Sequence, residues 1–338
     1  MIGAPHRVPP PAEGQLIAWP EDFRTRFLVF ADVEEEFDWR QPLSAANRAT
    51  EAMAAFPAAH ARFAAHGIGI ACMVDHPVAT DPRAIDILRA AIADGRSEIG
   101  AQLHAWVTPP YAAAAAGDSY AGNLPVALEA AKLDTLTAAL TAAFGRSPRI
   151  YRAGRYGIGA ATLALLAARG YRIDSSVRAR YEYRADLGPD FTRVGAAAYR
   201  VGGMIELPLT ALYTGALRAA GPRLYGPLGA IPHGRGVFAR TRLLQRVALT
   251  PEDMPIADAL EAVEVALGEG ERLLTISFHS PSLAPGYTPY VRDAADLATF
   301  WRWWDVMVAR LAQRGVAPVT VDGIVRAADA AHAQAGTP

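Results

Sequence analysis

The chain has 338 residues, 51% of them hydrophobic and 20% charged, which is enough apolar material for a sizeable core and argues against wholesale disorder. Its 33 basic and 34 acidic residues leave a formal charge of -1, which excludes a strongly basic nucleic-acid footprint and an acidic tail for basic partners. Only Lys132 among the basic residues is a lysine, and alanine is over-used, most visibly from Ala112 to Ala116; both biases read as genome composition before function.

Short apolar runs alternate with longer helical patterns, the signature of a parallel α/β protein. Phe27 to Asp32 predicts a buried first strand that ends in a carboxylate. Ser44 to His66 carries Ala52, Phe56, Ala59 and Phe63 at helical spacing and stops at Gly67. Further strands are expected at Ile68 to Asp75, Glu98 to His104, Pro148 to Arg152, Tyr171 to Asp174, Met204 to Leu207, Leu273 to His279 and Val316 to Val319. The intervening helices are Pro82 to Asp94, Leu124 to Phe144, Ala160 to Arg169, Ile256 to Gly268, Asp293 to Arg314 and one from Val321.

About seven or eight βα units with no short repeat fit one closed or nearly closed (β/α) barrel better than two domains. The expected boundaries are an N-terminal extension at 1–24, a barrel at 25–325 with an irregular insertion at 175–251, and a C-terminal tail at 326–338. Cys72 stands alone in an apolar run, so no intrachain disulfide or cysteine-based zinc cage is expected. MIGAPHRVPPPAEG lacks a signal-peptide core, and no stretch approaches the ~20 apolar residues of a membrane span, so the expected location is cytoplasmic.

Position is the most informative feature. Asp32, Asp75, His104, Arg152, Asp174 and His279 all fall at or just past predicted strand ends, which in a parallel barrel share one rim. Single polar strand ends are common helix caps; six, with two histidines and an arginine, point to a functional rim. Asp32 and Glu34 have the chemistry of a general base or metal ligand, whereas Glu35 and Glu36 read as a solvated acidic turn. Gln102 and His104, two apart on a strand, project the same way, and a neutral imidazole there suits a metal. Trp106 walls a sugar-stacking surface or packs in the core. Arg152 is placed to pair with Asp32, and His279 to donate a proton to a leaving group. Arg152 to Gly157 lacks the spacing of a dinucleotide fingerprint, and no G-x-S-x-G elbow occurs. Trp301 and Trp304 share a helix face, read first as core packing and second as a homodimer interface.

FADVEEEFDW, EIGAQLHAW, YRAGRYGIG, YRIDSSV and ISFHSPSL, with Gly286 to Tyr290 following, resemble in this order the NodB-homology polysaccharide deacetylases, most closely their WalW-like branch. The resemblance spans about Phe27 to Val319. It implies an α/β fold of the distorted (β/α)7 barrel type and metal-dependent removal of an N-acetyl or related acyl group from a carbohydrate, in polysaccharide or lipopolysaccharide biosynthesis. Carried over, Asp32 resembles the base and Glu34 the acidic metal ligand (roles these two exchange in one reading), His104 a second ligand, Arg152 the brace of the base and His279 the acid. Gln102 and Trp106 fall near the family's paired histidines, so the expected divalent metal, zinc or another, has an incomplete imidazole set; His76 is a less favoured substitute. Trp39, Trp106, Tyr156 and Asp174 are the expected substrate contacts. Two alternatives stand beside this reading: a non-catalytic carbohydrate-binding barrel that has lost its metal site, and a hydrolase of small amides or acylated amines on the same fold.

Overall fold

The apolar runs become parallel strands because a strand covered on both faces excludes water from every side chain. The computed structural model describes residues 5–112 and 115–335, so Ala113 and Ala114 of the alanine run lie outside the described residues, as do the first four residues of the N-terminal segment. The strands are β1 (Arg26–Val33), β2 (Ile70–Val74), β3 (Glu98–Leu103), β4 (Ile150–Ala153), β5 (Ile173–Asp174), β6 (Tyr199–Val201), β7 (Met204–Glu206), β8 (Ala211–Thr214), β9 (Gln245–Ala248), β10 (Leu273–His279) and β11 (Ala317–Pro318). The helices are α1 (Phe56–Ala65), α2 (His76–Thr80), α3 (Pro82–Ile92), α4 (Val126–Phe144), α5 (Thr162–Ala167), α6 (Gly221–Leu228), α7 (Gly234–Arg240), α8 (Ile256–Gly268), α9 (Ala294–Gln313) and α10 (Val321–Ala335).

Across the main sheet the order is β10-β1-β2-β3-β4-β5-β7-β6, parallel except for the β6–β7 hairpin, and β11 pairs with the start of β1. The curled sheet is a distorted (β/α)7 barrel, its seven principal parallel strands being β1 to β5, β7 and β10. Among the described residues no ladder joins β7 to β10 to close the wall. Thr210 N–H instead donates to Thr275 Oγ1 at 2.8 Å and Thr275 N–H to Thr210 Oγ1 at 2.9 Å. Leu249 adds a second stitch, its N–H bonding the Thr210 carbonyl and its own carbonyl accepting the Ser277 N–H.

Several expected elements shift. The helix expected from Ser44 begins only at Phe56, after a 3-10 turn at Glu51–Ala55. Upstream, Ser44 Oγ takes the Ala46 N–H and the Asn47 side chain takes the Ser44 N–H, local bonds that compete with a helix. The region 175–251 holds β6 to β9, α6 and α7, each too short to show a period in sequence. α10 runs on past residue 325 to Ala335. On α9, Trp304 is buried edge-on to Phe63 (4.8 Å between centroids), and Trp301 is half-buried beneath the Arg62 guanidinium, so this face packs on the barrel. Among the described residues no helix is long and apolar enough to cross a membrane.

One strand-end acid leaves the rim. Asp174 on β5 pairs in register with Glu206 on β7, and both are buried inside the wall. Asp174 Oδ1 accepts the Ser176 N–H at 3.2 Å, and Glu206 Oε1 the Val177 N–H at 3.3 Å. The expected substrate contact by Asp174 is corrected: its carboxylate is buried in the wall, with Oδ1 held by the Ser176 N–H and hydroxyl, and does not line the cleft. Burial lifts both carboxyls, Glu206 further because the Asp174 charge adds to the desolvation; Arg152 opposes the rise, and Tyr151 and Tyr199 face the same pair.

Such a raised carboxyl stabilises the fold below its unfolded-state pKa, and that contribution is lost as pH rises toward the folded-state value. Glu206→Gln removes the titration and keeps an acceptor for Val177. Relative to the unsubstituted protein, the variant is expected to gain stability as pH rises above the ordinary glutamate range, read as denaturant midpoints. Parallel pH curves for the two proteins would contradict a protonated Glu206.

Candidate functional site

The strand ends open into a cleft of about 760 Å³ whose lining includes Asp32, Glu34, Gln102, His104, Tyr156 and His279. Trp39, Trp106 and Tyr290 form its aromatic walls.

Arg152, fully buried on β4, reaches across the barrel so that its Nη1 pairs with Asp32 Oδ1 on β1. Its other two nitrogens each donate to Ser175: Nε to the carbonyl at 3.1 Å and Nη2 to Oγ at 3.2 Å. The guanidinium also lies over the Phe30 ring, 4.2 Å from the centroid. Asp32 is thereby fixed in rotamer, and its other oxygen Oδ2 faces His279 Nε2 at 3.9 Å.

His279 is turned by Glu252, which accepts Nδ1–H at 2.6 Å and the His279 backbone N–H at 3.1 Å. Burial alone would lower the imidazole pKa, but the Glu252, Glu34 and Asp32 charges outweigh it and raise it to about 10. The ring is therefore an imidazolium at neutral pH, with Nε2–H directed at the cleft. Trp39 meets it edge-on at 5.3 Å and Tyr290 stacks at 6.3 Å.

Glu34, two residues past Asp32, faces the same hollow. Gln102 Nε2 donates to its Oε2 at 3.3 Å, and His104 Nε2 lies 3.5 Å from that oxygen. His104 is oriented from behind, with Nδ1 2.6 Å from Glu35 Oε2 and Trp106 stacked on the ring at 4.2 Å. Trp106 Nε1–H donates to the other Glu35 oxygen at 2.6 Å. Asp75 accepts the Glu35 N–H at 2.6 Å and, as N-cap of α2, the Val78 N–H at 2.9 Å.

These contacts correct the reading of Glu35 as a solvated turn. Extended chain alternates sides, so Glu35 points opposite to Glu34 and is sealed under the His104–Trp106 loop at 0% exposure. Glu36 is half-buried and accepts the Ala52 N–H. Burial lifts Glu34 to about 7 against the pull of His279 and His104, and Glu35 to about 8 against hydrogen bonds from Asp75 and Trp106. Glycine at 154 lets the turn after β4 pass beside His104, where a Cβ would run into the imidazole. Tyr156 follows at φ 61°, in the left-handed region, and stacks on Tyr183 at 5.5 Å.

The donor set suits a divalent cation. Asp32, Glu34 and His279 bring polar atoms within 4.8 Å of one another, and His104 Nε2 approaches the Glu34 oxygen at 3.5 Å, so that Glu34 and His104 are the pair open to a cation while the protonated His279 is not. His104 carries the carboxylate partner on its far nitrogen that orients imidazole metal ligands. Buried Gln102 Oε1 has no hydrogen-bond partner among the described residues, an acceptor that a cation beside Glu34 would satisfy once the amide turns. Glu35, Asp75 and His104 form a second close group, but their oxygens are already engaged by Trp106 and backbone N–H groups. His76 is buried at the start of α2, outside the cleft lining.

Sequence reasoning named Asp32, Glu34, Gln102, His104, Arg152, Tyr156, His279, Trp39 and Trp106, and the structure gathers all nine around this hollow. It missed the orienting roles of Glu35 and Glu252. Strict alternation after the buried Val33 was a usable signal for Glu35; Glu252, in a short loop after β9, had none.

No protein-family model matches the chain, and no curated protein matches it. Among solved structures, a candidate polysaccharide deacetylase from Mycobacterium smegmatis aligns over 98% of this chain and 97% of its own, with TM-score 0.54 and 17% identity. An allantoinase aligns over 89% of this chain and 88% of its own, with TM-score 0.44 and 16% identity. A candidate polysaccharide deacetylase from Pseudomonas aeruginosa PAO1 aligns over 88% and 94%, with TM-score 0.43 and 15% identity. At 17% identity over nearly its whole length, the chain shares the barrel fold of the Mycobacterium smegmatis protein.

Proposed function

We propose that this protein is a NodB-like hydrolase of the WalW-like branch that removes an N-acetyl or related acyl group from a carbohydrate amine, acting on polysaccharide or lipopolysaccharide precursors in the cytoplasm. One observation carries the reading: a carboxylate pinned by a buried arginine faces an imidazolium across a cleft that also holds a carboxylate–imidazole pair.

Glu34, His104 and the Gln102 amide would hold a divalent cation, zinc or another, which when bound polarises an acyl carbonyl and acidifies water. Asp32 Oδ2 takes the proton of the water that attacks the acyl carbon, while Arg152 holds the carboxylate in place. As the C–N bond breaks, His279 Nε2–H protonates the departing amine, and Glu252 keeps the ring charged and correctly turned. Trp39, Trp106 and Tyr156 present faces to the sugar ring. The Gln102 hydrogen bond to Glu34 favours a second reading, a barrel that binds the sugar without turnover.

Asp32→Asn is expected to lower acetate release from N-acetylated sugars by roughly 10²- to 10⁴-fold, the usual range for a lost general base. An unchanged rate would overturn the assignment, and no release from the unsubstituted protein with sugar binding retained would leave the second reading standing.

Elemental analysis provides an independent check. About one divalent ion per chain is expected, removed by dialysis against a chelator and absent from a Glu34→Gln, His104→Ala double variant. Equal metal content in both proteins would place the ion elsewhere.

A further inference from the structure

Beyond the acid-rich mouth, the cleft has a second, oppositely charged flank. Arg178 lines it, half-buried among tyrosines, with its guanidinium 3.9 Å from the Tyr181 ring centroid and 5.5 Å from that of Tyr156. Arg246 covers the Tyr181 ring at 3.4 Å, so two cations share one aromatic face system. Among the described residues neither arginine forms an ion pair: Arg246 bonds the Arg180 carbonyl, and Arg178 donates only to the Tyr183 hydroxyl, at 3.3 Å. The exposed Asp253 carboxylate feels the Arg178 charge without pairing with it. Arg155, by contrast, is already matched to Asp186 at 3.6 Å.

Stacking on tyrosine uses the face of a guanidinium and leaves its in-plane fork free. At Arg178 that fork opens on the cleft, one tyrosine ring from the centre, since Tyr156 senses the Asp32 and Arg152 charges. A charged donor kept partly desolvated, unpaired and facing a ligand cavity is built for an oxyanion. We propose that the substrate carries an anionic group, a carboxylate or a phosphate, that docks on Arg178. This names the substrate class within the hydrolase reading and rests on that reading for the site of reaction.

The test is calorimetric binding of N-acetylglucosamine, its 6-phosphate and the corresponding N-acetylated uronic acid. At least one anionic probe is expected to bind roughly ten- to hundred-fold tighter than the neutral sugar, as one charge-assisted fork provides. The phosphate and uronate arms identify which oxyanion is preferred. Arg178→Gln should erase the preference, so that the anionic and neutral probes bind the variant equally. Equal affinity for all three probes, or a preference that survives Arg178→Gln, overturns the proposal. Where the variant does not fold, the wild-type preference must shrink as salt rises; a salt-insensitive preference overturns it equally. Acetate measured in parallel separates the two readings. An anion preference without turnover sinks hydrolysis alone, and equal turnover of all three probes without preference sinks this inference alone.

Discussion

A guanidinium sealed from water sets the geometry of the barrel mouth. Desolvating Arg152 costs several kcal/mol, which must be offset by polar partners. Asp32, the two Ser175 contacts and the Phe30 face, which between them engage all three of its nitrogens, do this. β1 and β4 stand three positions apart in the sheet, about 14 Å in a flat array at ordinary strand spacing. The pair forms only because the sheet curls, so the same bond records the curvature and fixes the rotamer of the carboxylate it holds. Fold and site are one constraint seen at two scales.

Charge accounting explains the rest of the centre. Asp32, Glu34, Glu35, Asp75 and Glu252 crowd around two positive groups, Arg152 and His279. Five buried carboxylates cannot all stay ionised beside two cations, and the raised Glu34, Glu35 and Asp75 carboxyls show where protons accumulate. A dication at Glu34 would replace the proton there and draw on the Glu35 charge through His104. The outer carboxylates thus have a reason to be buried. Glu35 fixes the imidazole that faces Glu34, and Glu252 fixes the imidazole that faces Asp32, each through Nδ1.

How much of this was legible in the sequence follows from the range of the signal. Strands such as Phe27 to Asp32 announce themselves because burial on both faces forces a continuous apolar run, and the polar residue that ends the run marks the rim. Asp174 obeys the same rule yet lies in the wall, because β5 is only two residues long and its acid is drawn into pairing with Glu206. The helical period of Ser44 to His66 rests on Ala52, Phe56, Ala59 and Phe63, and upstream of them local side-chain bonds at Ser44 and Asn47 take the place of a helix. Glu35 looked solvated because three successive glutamates suggest a surface, whereas strand alternation sends the middle one inward. Glu252 reaches His279 through a contact 27 residues away in the chain, and no local pattern encodes it.

The two ends of the cleft also explain how a substrate would be oriented. The floor at Asp32 and Glu34 is rich in carboxylates, but Arg152 pairs with Asp32 and the His279 imidazolium stands beside them, so no unpaired cation is left there for an anionic group. The tyrosine-flanked arginines on the other side are cations with no ion-pair partner among the described residues. Such an uneven field across one cleft discriminates between the two ends of a ligand before any hydrogen bond forms. The strained Tyr156 stands between them, held in the left-handed region by the turn that follows β4. Its ring separates the arginine fork from the Asp32–Arg152 pair and sets the spacing between an anchored group and the bond that would be cleaved. Tyr156 stands in the turn that directly follows the strand carrying Arg152, so under the proposed function recognition and chemistry would rest on adjoining residues of the chain.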